Sequence, residues 1–537
     1  MFRFFVLPSG FAGLLVAIAI GFVFVITTFE LQFILGVSSF WQTEVDDVTQ
    51  YIAGFNMYFG SPWRFPLLAF DSLNYPQGTR ATFVDVIPLY ALLLKLLLPA
   101  SLAPFNPYGA WVALCFILQA VGGWWISREL RLNSWAFLVS LVIVLLVFPA
   151  LMARLGHISL MSHWIILFAL ALYVRSRYML GLPLISWTVL LVVAFYVNIY
   201  LFAMAAGIYF AAFLARGAGS RRILIDFSMP FFLIALSLFV TLLPLPEAGV
   251  AREGGFGYFS MNVLSPVLGG DLFKVKAGEA PGQYEGFNYL GFGVILALIA
   301  AVRVCHIEDR GFFRRHWPLS LLMVGFSVYA LSSQIYFGSV QILEIKYPRI
   351  LDVITSQFRA SGRFFWPVGY CIVIFALLML FRRLGRVSFA VVALMIVLLQ
   401  LVDLKERYSV FETTLARESR PRMNYALWDE VLKGGVQKIY FYPKFKCGAK
   451  PPFESLLPVM RYAAERNYKL NTGYIARYSP RCDDIAEEIA ASAVGDSAYV
   501  FAKEEFGGLV DVKKYLPVEA LLQCREVDFA FVCSRSG

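Results

Sequence analysis

The sequence predicts an α-helical polytopic membrane protein of about eleven spanning helices, followed by a small soluble C-terminal α/β domain. Three observations predict it. Of 537 residues, 59% are hydrophobic and only 15% are Asp, Glu, Lys or Arg, with a mean hydropathy of +0.69. That is too little charge for the surface of a water-soluble chain of this length. Several charge-free stretches run roughly 17–20 residues, the length that crosses ~30 Å of hydrocarbon. Arginine clusters recur in the short turns between them, the pattern of an orientation signal.

The first stretch, Gly10 to Phe29, is too long for a signal-peptide core and is followed by no small-residue cleavage site, so it reads as a retained helix. Further spans are predicted at Pro107–Ser127, Trp135–Ala153, Ile158–Val174, Phe227–Pro246, Asn288–Val302, Trp317–Ile335, Phe364–Phe381 and Val387–Val402. Leu182 to Ala215 is too long for one crossing and predicts two helices folding back near Asn198.

With these spans, Arg128/Arg131, Arg175/Arg177, Arg216/Arg221/Arg222, the run Arg303–Arg315 and Arg382/Arg383/Arg386 all fall on one side with Arg3. Arginine in short loops marks the cytoplasmic face. The agreement requires that Val86–Pro99, which contains Lys95 and is flanked by prolines, lies at the surface or re-enters rather than spanning. An odd number of spans then places the N-terminus in the cytoplasm and the C-terminal domain outside it. The net charge of +10 is absorbed by these orientation clusters and predicts no nucleic-acid partner.

The transmembrane domain is predicted over 1–403, with extracytoplasmic loops at about 36–106, 247–287 and 334–363, and the α/β domain over 404–537. In the latter, Gln437–Tyr442, Ala498–Ala502 and Val527–Val532 read as strands, and Ser455–Arg466 and Asp483–Ala493 as helices. Its cysteines, Cys447, Cys482, Cys524 and Cys533, form an even set suited to an oxidising compartment. Four cysteines allow three pairings, and spacing does not choose among them.

Three groups of residues carry candidate chemistry. Glu44-Val-Asp-Asp47-Val-Thr-Gln50-Tyr51 follows the first helix. Adjacent carboxylates at a membrane surface call for solvent, cations or a metal, and one of the pair can bind an ion while the other accepts a proton. The plainer alternatives are a solvated acidic turn or a helix cap. Arg154 and His157, with His163, stand at the turn before the Ile158 span. His157 and His163 are six apart, so they do not share a face as an i,i+4 zinc pair would. Arg359 and Arg363, four apart, point the same way on a helical continuation and suit a phosphate, or else snorkel to lipid headgroups.

The first loop resembles that of the GT-C superfamily, polytopic glycosyltransferases that use lipid-linked sugars. Asp46-Asp47, Gln50-Tyr51 and Gly54-Phe-Asn-Met-Tyr-Phe59 stand where those enzymes carry an acidic pair, an aromatic or polar residue, and an amphipathic segment. Ser61-Pro-Trp-Arg-Phe-Pro66, Asn74-Tyr-Pro-Gln-Gly78, Asp85-Val-Ile-Pro-Leu89, Tyr284-Glu-Gly-Phe-Asn-Tyr-Leu-Gly291 and Phe358-Arg-Ala-Ser-Gly-Arg-Phe-Phe-Trp-Pro367 are similar to an uncharacterised bacterial membrane-protein family grouped with them.

The resemblance implies inverting transfer of a sugar from a polyprenyl-phosphate donor to an envelope glycan, lipid or protein outside the bacterial inner membrane. It implies a catalytic role for Asp47 or Asp46. The Asp-x-x-Gln spacing to Gln50 matches the closer family and favours Asp47 as base, although the usual Asp-Glu pair is Asp-Asp here. It further implies donor-phosphate binding by Arg359, Arg363 and Arg154, and a divalent metal (Mg or Mn) at Asp46 and His157. The competing functions are a transporter or flippase of lipid-linked saccharide, against which the charge-free spans argue, and a non-catalytic envelope scaffold.

Overall fold

The computed structural model describes residues 8–179, 181–216, 221–245, 253–272, 280–419, 421–433, 435–449, 453–482, 485–492, 494–517 and 522–535. Arg3, Pro246, Asp483, Ala493 and parts of the 247–287 loop lie outside the described residues. The chain forms two compact units. One comprises the described residues of Met1–Leu31, Ala110–Ile234 and Arg252–Leu415, the other those of Gln32–Gly109, Ala235–Ala251 and Ala416–Gly537.

Among the described residues, seven helices are long and apolar enough to cross a membrane: Phe11–Thr28, Tyr108–Glu129, Trp135–Met152, Ile158–Tyr178, Leu224–Thr241, Ser361–Arg383 and Arg386–Asp403. In the first unit the Phe11–Thr28 helix meets Tyr108–Glu129 at Gly21, where a Cβ would lie 3.1 Å from both Ile117 Cα and Ala120 Cβ. Small residues at such a crossing let helices approach without a hydrophobic driving force. The predicted reversal at Asn198 is present: Leu184–Val197 ends and Ile199–Leu214 begins there. The Asn198 side chain accepts from the Tyr200 N–H at 2.9 Å and donates to Ser159 Oγ at 2.9 Å, satisfying the break from within.

Polar groups buried in this unit are met locally. Asp403, at the end of the Arg386–Asp403 helix, is fully buried. Its carboxylate accepts from the Tyr289 hydroxyl at 2.7 Å, the Phe292 N–H at 2.9 Å and the Leu272 N–H at 3.1 Å. One turn earlier, Gln400 accepts from the Val294 N–H at 3.2 Å and donates to the Leu290 carbonyl at 3.0 Å. Together they supply acceptors for the orphan donors that open the Phe292–Glu308 helix.

The predicted Trp317–Ile335 span is shorter than expected. Its helix stops at Leu331, and Gln334–Phe337 pairs with Val340–Glu344 as an antiparallel hairpin. Ser332, at φ +67°, breaks the helix. Ile335, read as the end of the span, stands in Ile335-Tyr336-Phe337, a run of β-branched and aromatic residues that suits a strand.

The second unit joins the first loop to the C-terminal residues. Its five-stranded sheet comprises β1 (Lys438–Tyr442), β2 (Lys469–Leu470), β3 (Ser497–Ala502), β4 (Leu522–Val527) and β5 (Ala530–Arg535), in the order β2-β1-β3-β5-β4. β1 is parallel to β2 and β3, while β5 is antiparallel to β3 and β4. The predicted strand Val527–Val532 is instead a hairpin turn. Val527 pairs with Ala530 across a two-residue loop, and Asp528 takes φ +46°, a conformation that Asp tolerates better than most residues. The cysteines pair as Cys447–Cys482 and Cys524–Cys533, the latter directly opposite one another on β4 and β5.

Residues of the first loop extend this sheet. Leu73 bridges Leu470 in parallel, with Leu470 N–H donating to Ser72 O at 2.8 Å and Tyr75 N–H to Leu470 O at 3.0 Å. The Asp47–Gly60 helix, buried throughout Val48–Phe59, packs on the Phe453–Glu465 helix. The Val86–Pro99 region holds only a ten-residue helix, Pro88–Leu97, too short to span. The Lys95 ammonium is buried and donates to Tyr58 O at 2.6 Å.

Glu44 fixes the start of the loop: its Oε2 accepts from the N–H groups of Arg422 at 2.6 Å and Met423 at 3.2 Å. Burial raises the Glu44 carboxyl above its ordinary value, more than these two bonds lower it. Glu44→Ala orphans both amides and lowers stability by about 1–3 kcal/mol, measured as the unfolding midpoint of the purified protein in detergent. A carboxyl whose folded pKa lies above its unfolded one stabilises fully below the unfolded value and less as pH rises through the folded one. Glu44→Gln therefore gains on the wild type as pH rises from about 4 to 7.

Candidate functional site

The first unit contains a buried ion cluster built from three separate chain segments. After the Pro149–Met152 turn, Arg154 N–H donates to Leu151 O at 3.0 Å and His157 N–H to Arg154 O at 2.8 Å. This tight turn sets both side chains on Glu285. Glu285 itself stands in the short turn Gln283–Gly286, and Arg363 in the turn Ser361–Phe365.

Those two turns touch through glycine. A Cβ on Gly362 would lie 2.5 Å from Gly286 Cα, so any side chain there would force the turns apart. Asn288 clamps them, donating to Gly286 O at 2.9 Å and Gly362 O at 2.8 Å. The residues Glu-Gly and Gly-Arg in the two quoted motifs are thus two halves of one contact.

The carboxylate of Glu285 is saturated. Arg363 binds it bidentately, Nη2 to Oε1 at 2.9 Å and Nε to Oε2 at 3.0 Å. Arg154 Nη1 donates to Oε2, and His157 Nε2 lies 3.1 Å from Oε1. Side-chain exposure is 3% for Arg154, 5% for Glu285, 13% for Arg363 and 31% for His157, so His157 is the most exposed member of the cluster. Burial alone raises the Glu285 carboxyl. The Arg363 charge, the His157 hydrogen bond and Arg154 outweigh it and hold the group well below the usual carboxylate range. Two guanidiniums against one carboxylate leave the cluster net positive.

A cavity of about 1380 Å³ borders the same segments. Ala153, Leu155 and Gly156 line it on the Arg154–His157 side, Gln283 and Phe287 beside Glu285, and Arg407 from the Lys405–Leu415 helix. Leu268, Leu401, Leu404 and Phe411 add apolar wall. The Arg407 guanidinium sits 3.7 Å from the centre of the Phe287 ring.

The other predicted residues fall as follows. Arg359 does not converge with Arg363. Residues 359 and 360 are not helical, so the four-residue spacing carries no shared face, and Arg359 turns to Glu253 at 3.5 Å and lies over the Phe259 ring at 5.5 Å. His163 is fully buried away from His157, with Nδ1 2.8 Å from the Tyr370 hydroxyl and its ring 4.2 Å from that of Trp366. Asp46 and Asp47 belong to the second unit, Asp46 exposed at the cap position and Asp47 half-buried as the first residue of the Asp47–Gly60 helix. Asp46 does not cap that helix with its side chain and accepts from the Thr43 hydroxyl at 3.1 Å. Gln50 is buried, and its amide donates to Tyr474 O at 3.1 Å.

Among the described residues, no three or more of His, Cys, Asp and Glu gather as metal ligands. His157 Nε2 is turned to Glu285, whose lone pairs are already occupied. This donor set does not fit a divalent ion at His157. Sequence reasoning missed Glu285 and Asn288. The signal lay in two motifs that each set a charge of opposite sign beside a glycine.

No curated protein matches the chain. Among solved structures, the arabinofuranosyltransferase AftD from Mycobacteria matches with a TM-score of 0.50 at 12% identity, over 98% of this chain and 40% of that one. At this identity the likeness is one of fold, and the chain spans about two-fifths of AftD's length. It agrees with the expected GT-C architecture and, with the apolar helices, describes a multi-pass membrane protein. Residues 427–535 match a family described as the DUF6311 C-terminal domain. Residues 18–405 match the Domain of unknown function DUF6311, and the chain belongs to that family.

Proposed function

We propose that this protein is a membrane glycosyltransferase that moves a sugar from a polyprenyl-phosphate donor to a glycan, lipid or protein acceptor outside the bacterial inner membrane. The observation that carries the reading is the Asp46–Asp47 turn. Asp46 is exposed and Asp47 half-buried, and the residues around them are tied to the C-terminal chain. Arg461 Nη1 donates to Trp41 O and Thr43 O at 2.8 Å each. Glu44 is held by the Arg422 and Met423 amides, and Gln50 by Tyr474. A rigid backbone presenting an accessible acid is what a general base requires.

In this reading Asp47 takes the proton of the acceptor hydroxyl. The hydroxyl oxygen attacks the anomeric carbon, and the bond from that carbon to the phosphate oxygen breaks with its electron pair leaving on the polyprenyl phosphate. Within the first unit, the net-positive cluster of Arg154, Arg363 and His157 is of the kind that binds a phosphate, because cations stabilise charge that develops on a leaving group. The apolar side of the neighbouring cavity suits the isoprenoid chain. Arg359 stands outside this cluster and is assigned no part in it, and no step is routed through a metal.

The same reading takes eleven spans. Leu184–Val197, Ile199–Leu214, Phe292–Glu308 and Trp317–Leu331 join the seven longer helices. The N-terminus is then cytoplasmic and the disulfide-bonded domain outside.

Asp47→Asn is expected to lower transfer of labelled sugar from a polyprenyl-phosphate donor by ~10²–10⁴-fold without moving the unfolding midpoint. Wild-type transfer by both Asp47→Asn and Asp46→Asn would sink the assignment. Counterflow of lipid-linked saccharide in proteoliposomes without covalent product would replace it by a flippase. Glu285→Ala leaves buried Arg154 and Arg363 without their counterion and is expected to cost about 3–5 kcal/mol of stability. Arg359→Ala, removing a half-exposed pair, costs about 1 kcal/mol or less. Thermal unfolding of both variants in detergent distinguishes the two.

A further inference from the structure

The C-terminal sheet has a feature that the proposed chemistry does not use. β1 and β3 lie side by side and parallel, yet the chain leaves their carboxyl ends in opposite directions. From β1 it runs through the Phe453–Glu465 helix to β2 on one edge, and from β3 through the Leu509–Lys513 helix toward β4 and β5 on the other. Connections that diverge in this way open a crevice at the carboxyl ends of the strands, where ligands of α/β sheets bind.

A cavity of about 360 Å³ occupies that place. Tyr442, Pro443 and Lys444 line it at the end of β1, and Glu505 and Phe506 beyond β3. Asp511, Lys514 and Tyr515 come from the Leu509–Lys513 helix and the residues after it. The Cys447–Cys482 disulfide closes one side. Gly448, at φ +87°, turns the rim, where a Cβ would lie 2.9 Å from Pro443 Cγ.

The lining has the chemistry of a site for hydroxyls. Lys444 is buried, and its ammonium lies 3.1 Å from Glu488 and donates to Arg481 O at 3.4 Å. The Tyr442 hydroxyl donates to the same Glu488 carboxylate at 2.8 Å. Asp511 pairs with Lys514 at 2.7 Å on the rim. Glu505 accepts from the Ala449 N–H at 3.1 Å and 3.2 Å. Each lysine thus has its own carboxylate, and Glu505 adds a further negative charge. Among the described lining residues an anion such as a phosphate finds no uncompensated cation, whereas carboxylate oxygens and an ammonium both bond hydroxyl groups. Tyr515, half-buried beside Phe506 with ring centroids 6.0 Å apart, adds an aromatic wall of the kind that covers the apolar face of a sugar ring.

We propose that this crevice binds a neutral saccharide of one or two rings. The size fits the lower end of small-ligand pockets, roughly 300–1,000 Å³. The inference deepens the proposed function by giving a glycan acceptor a holding site. Its test reads binding and not transfer, so the two ideas fail separately.

The test uses the full-length protein in a detergent without a sugar headgroup. Saturation-transfer NMR is recorded with glucose, galactose, mannose, arabinose, N-acetylglucosamine and their disaccharides at millimolar concentration. At least one sugar is expected to receive saturation. Its affinity is expected to fall about five- to tenfold, the factor for roughly 1–1.4 kcal/mol, in Tyr515→Ala and in the rim variant Asp511→Asn. The rim variant covers the case in which loss of the Tyr515 ring disturbs folding. Saturation of no sugar by the wild type, wild-type affinity in both variants, or displacement of the sugar by inorganic phosphate would each overturn the proposal.

Discussion

A carboxylate buried among apolar helix ends is destabilising unless its charge and its lone pairs are both met. Glu285 satisfies that condition with two arginines and a histidine drawn from two other, distant segments of chain. Removing Glu285 leaves two buried guanidiniums without their counterion, so this one carboxylate ties the cluster together. The turns that carry it are short and irregular, the kind of backbone that exists at membrane depth or its edge only when its own polar groups are supplied with partners. Asn288 does this for the carbonyls of Gly286 and Gly362. Asp403 and Gln400 do it for the opening of the Phe292–Glu308 helix. In each case one polar side chain serves two segments at once.

The second unit depends on a different constraint. Its C-terminal sheet ends at β2, two residues long, and an open edge of that kind invites pairing. Leu73 and the residues around it take up the edge. The partner is a piece of the first loop, hundreds of residues earlier in the chain. The same loop buries the Asp47–Gly60 helix against the Phe453–Glu465 helix. Motifs such as Asn74-Tyr-Pro therefore have an architectural meaning. Asn74, at φ +57°, receives the Tyr478 hydroxyl at 2.7 Å, and Asp71 takes Lys469 at 3.0 Å.

The long apolar helices were legible in the sequence because their signal is local: length and hydropathy are contained in one stretch of residues. The reversal at Asn198 was legible for the same reason, since length alone forbade a single crossing. Pairings over long separations were not. Nothing local in Leu73 indicates Leu470, and nothing in Glu285 indicates which of many arginines it will meet. Arg359 and Arg363 show the error that follows when helical spacing is applied where the backbone is not helical. Val527–Val532 shows its counterpart in strands, where a polar Asp528 inside an apolar run was the turn itself. At the candidate site, residue types drew attention to Arg154, His157 and Arg363, and the structure brings these side chains together on Glu285, a partner that nothing local indicated.

That partner does not remove the arginines from phosphate chemistry; it changes how they would act. A guanidinium carries five N–H donors, and binding one carboxylate bidentately uses two of them. Arg154 Nε is buried with no hydrogen-bond partner among the described residues. A guanidinium left mobile would lose side-chain entropy each time it closed on an anion, whereas one already fixed by a carboxylate has lost it on folding. In the proposed reading Glu285 is therefore a positioning residue. It lowers the cluster's charge by one unit and fixes the planes of two cations. In the proposed reading the partly exposed His157 side presents this net positive, rigid cluster to the phosphate. Rigid cations at the point where leaving-group charge develops contribute more to a transition state than a greater number of flexible ones.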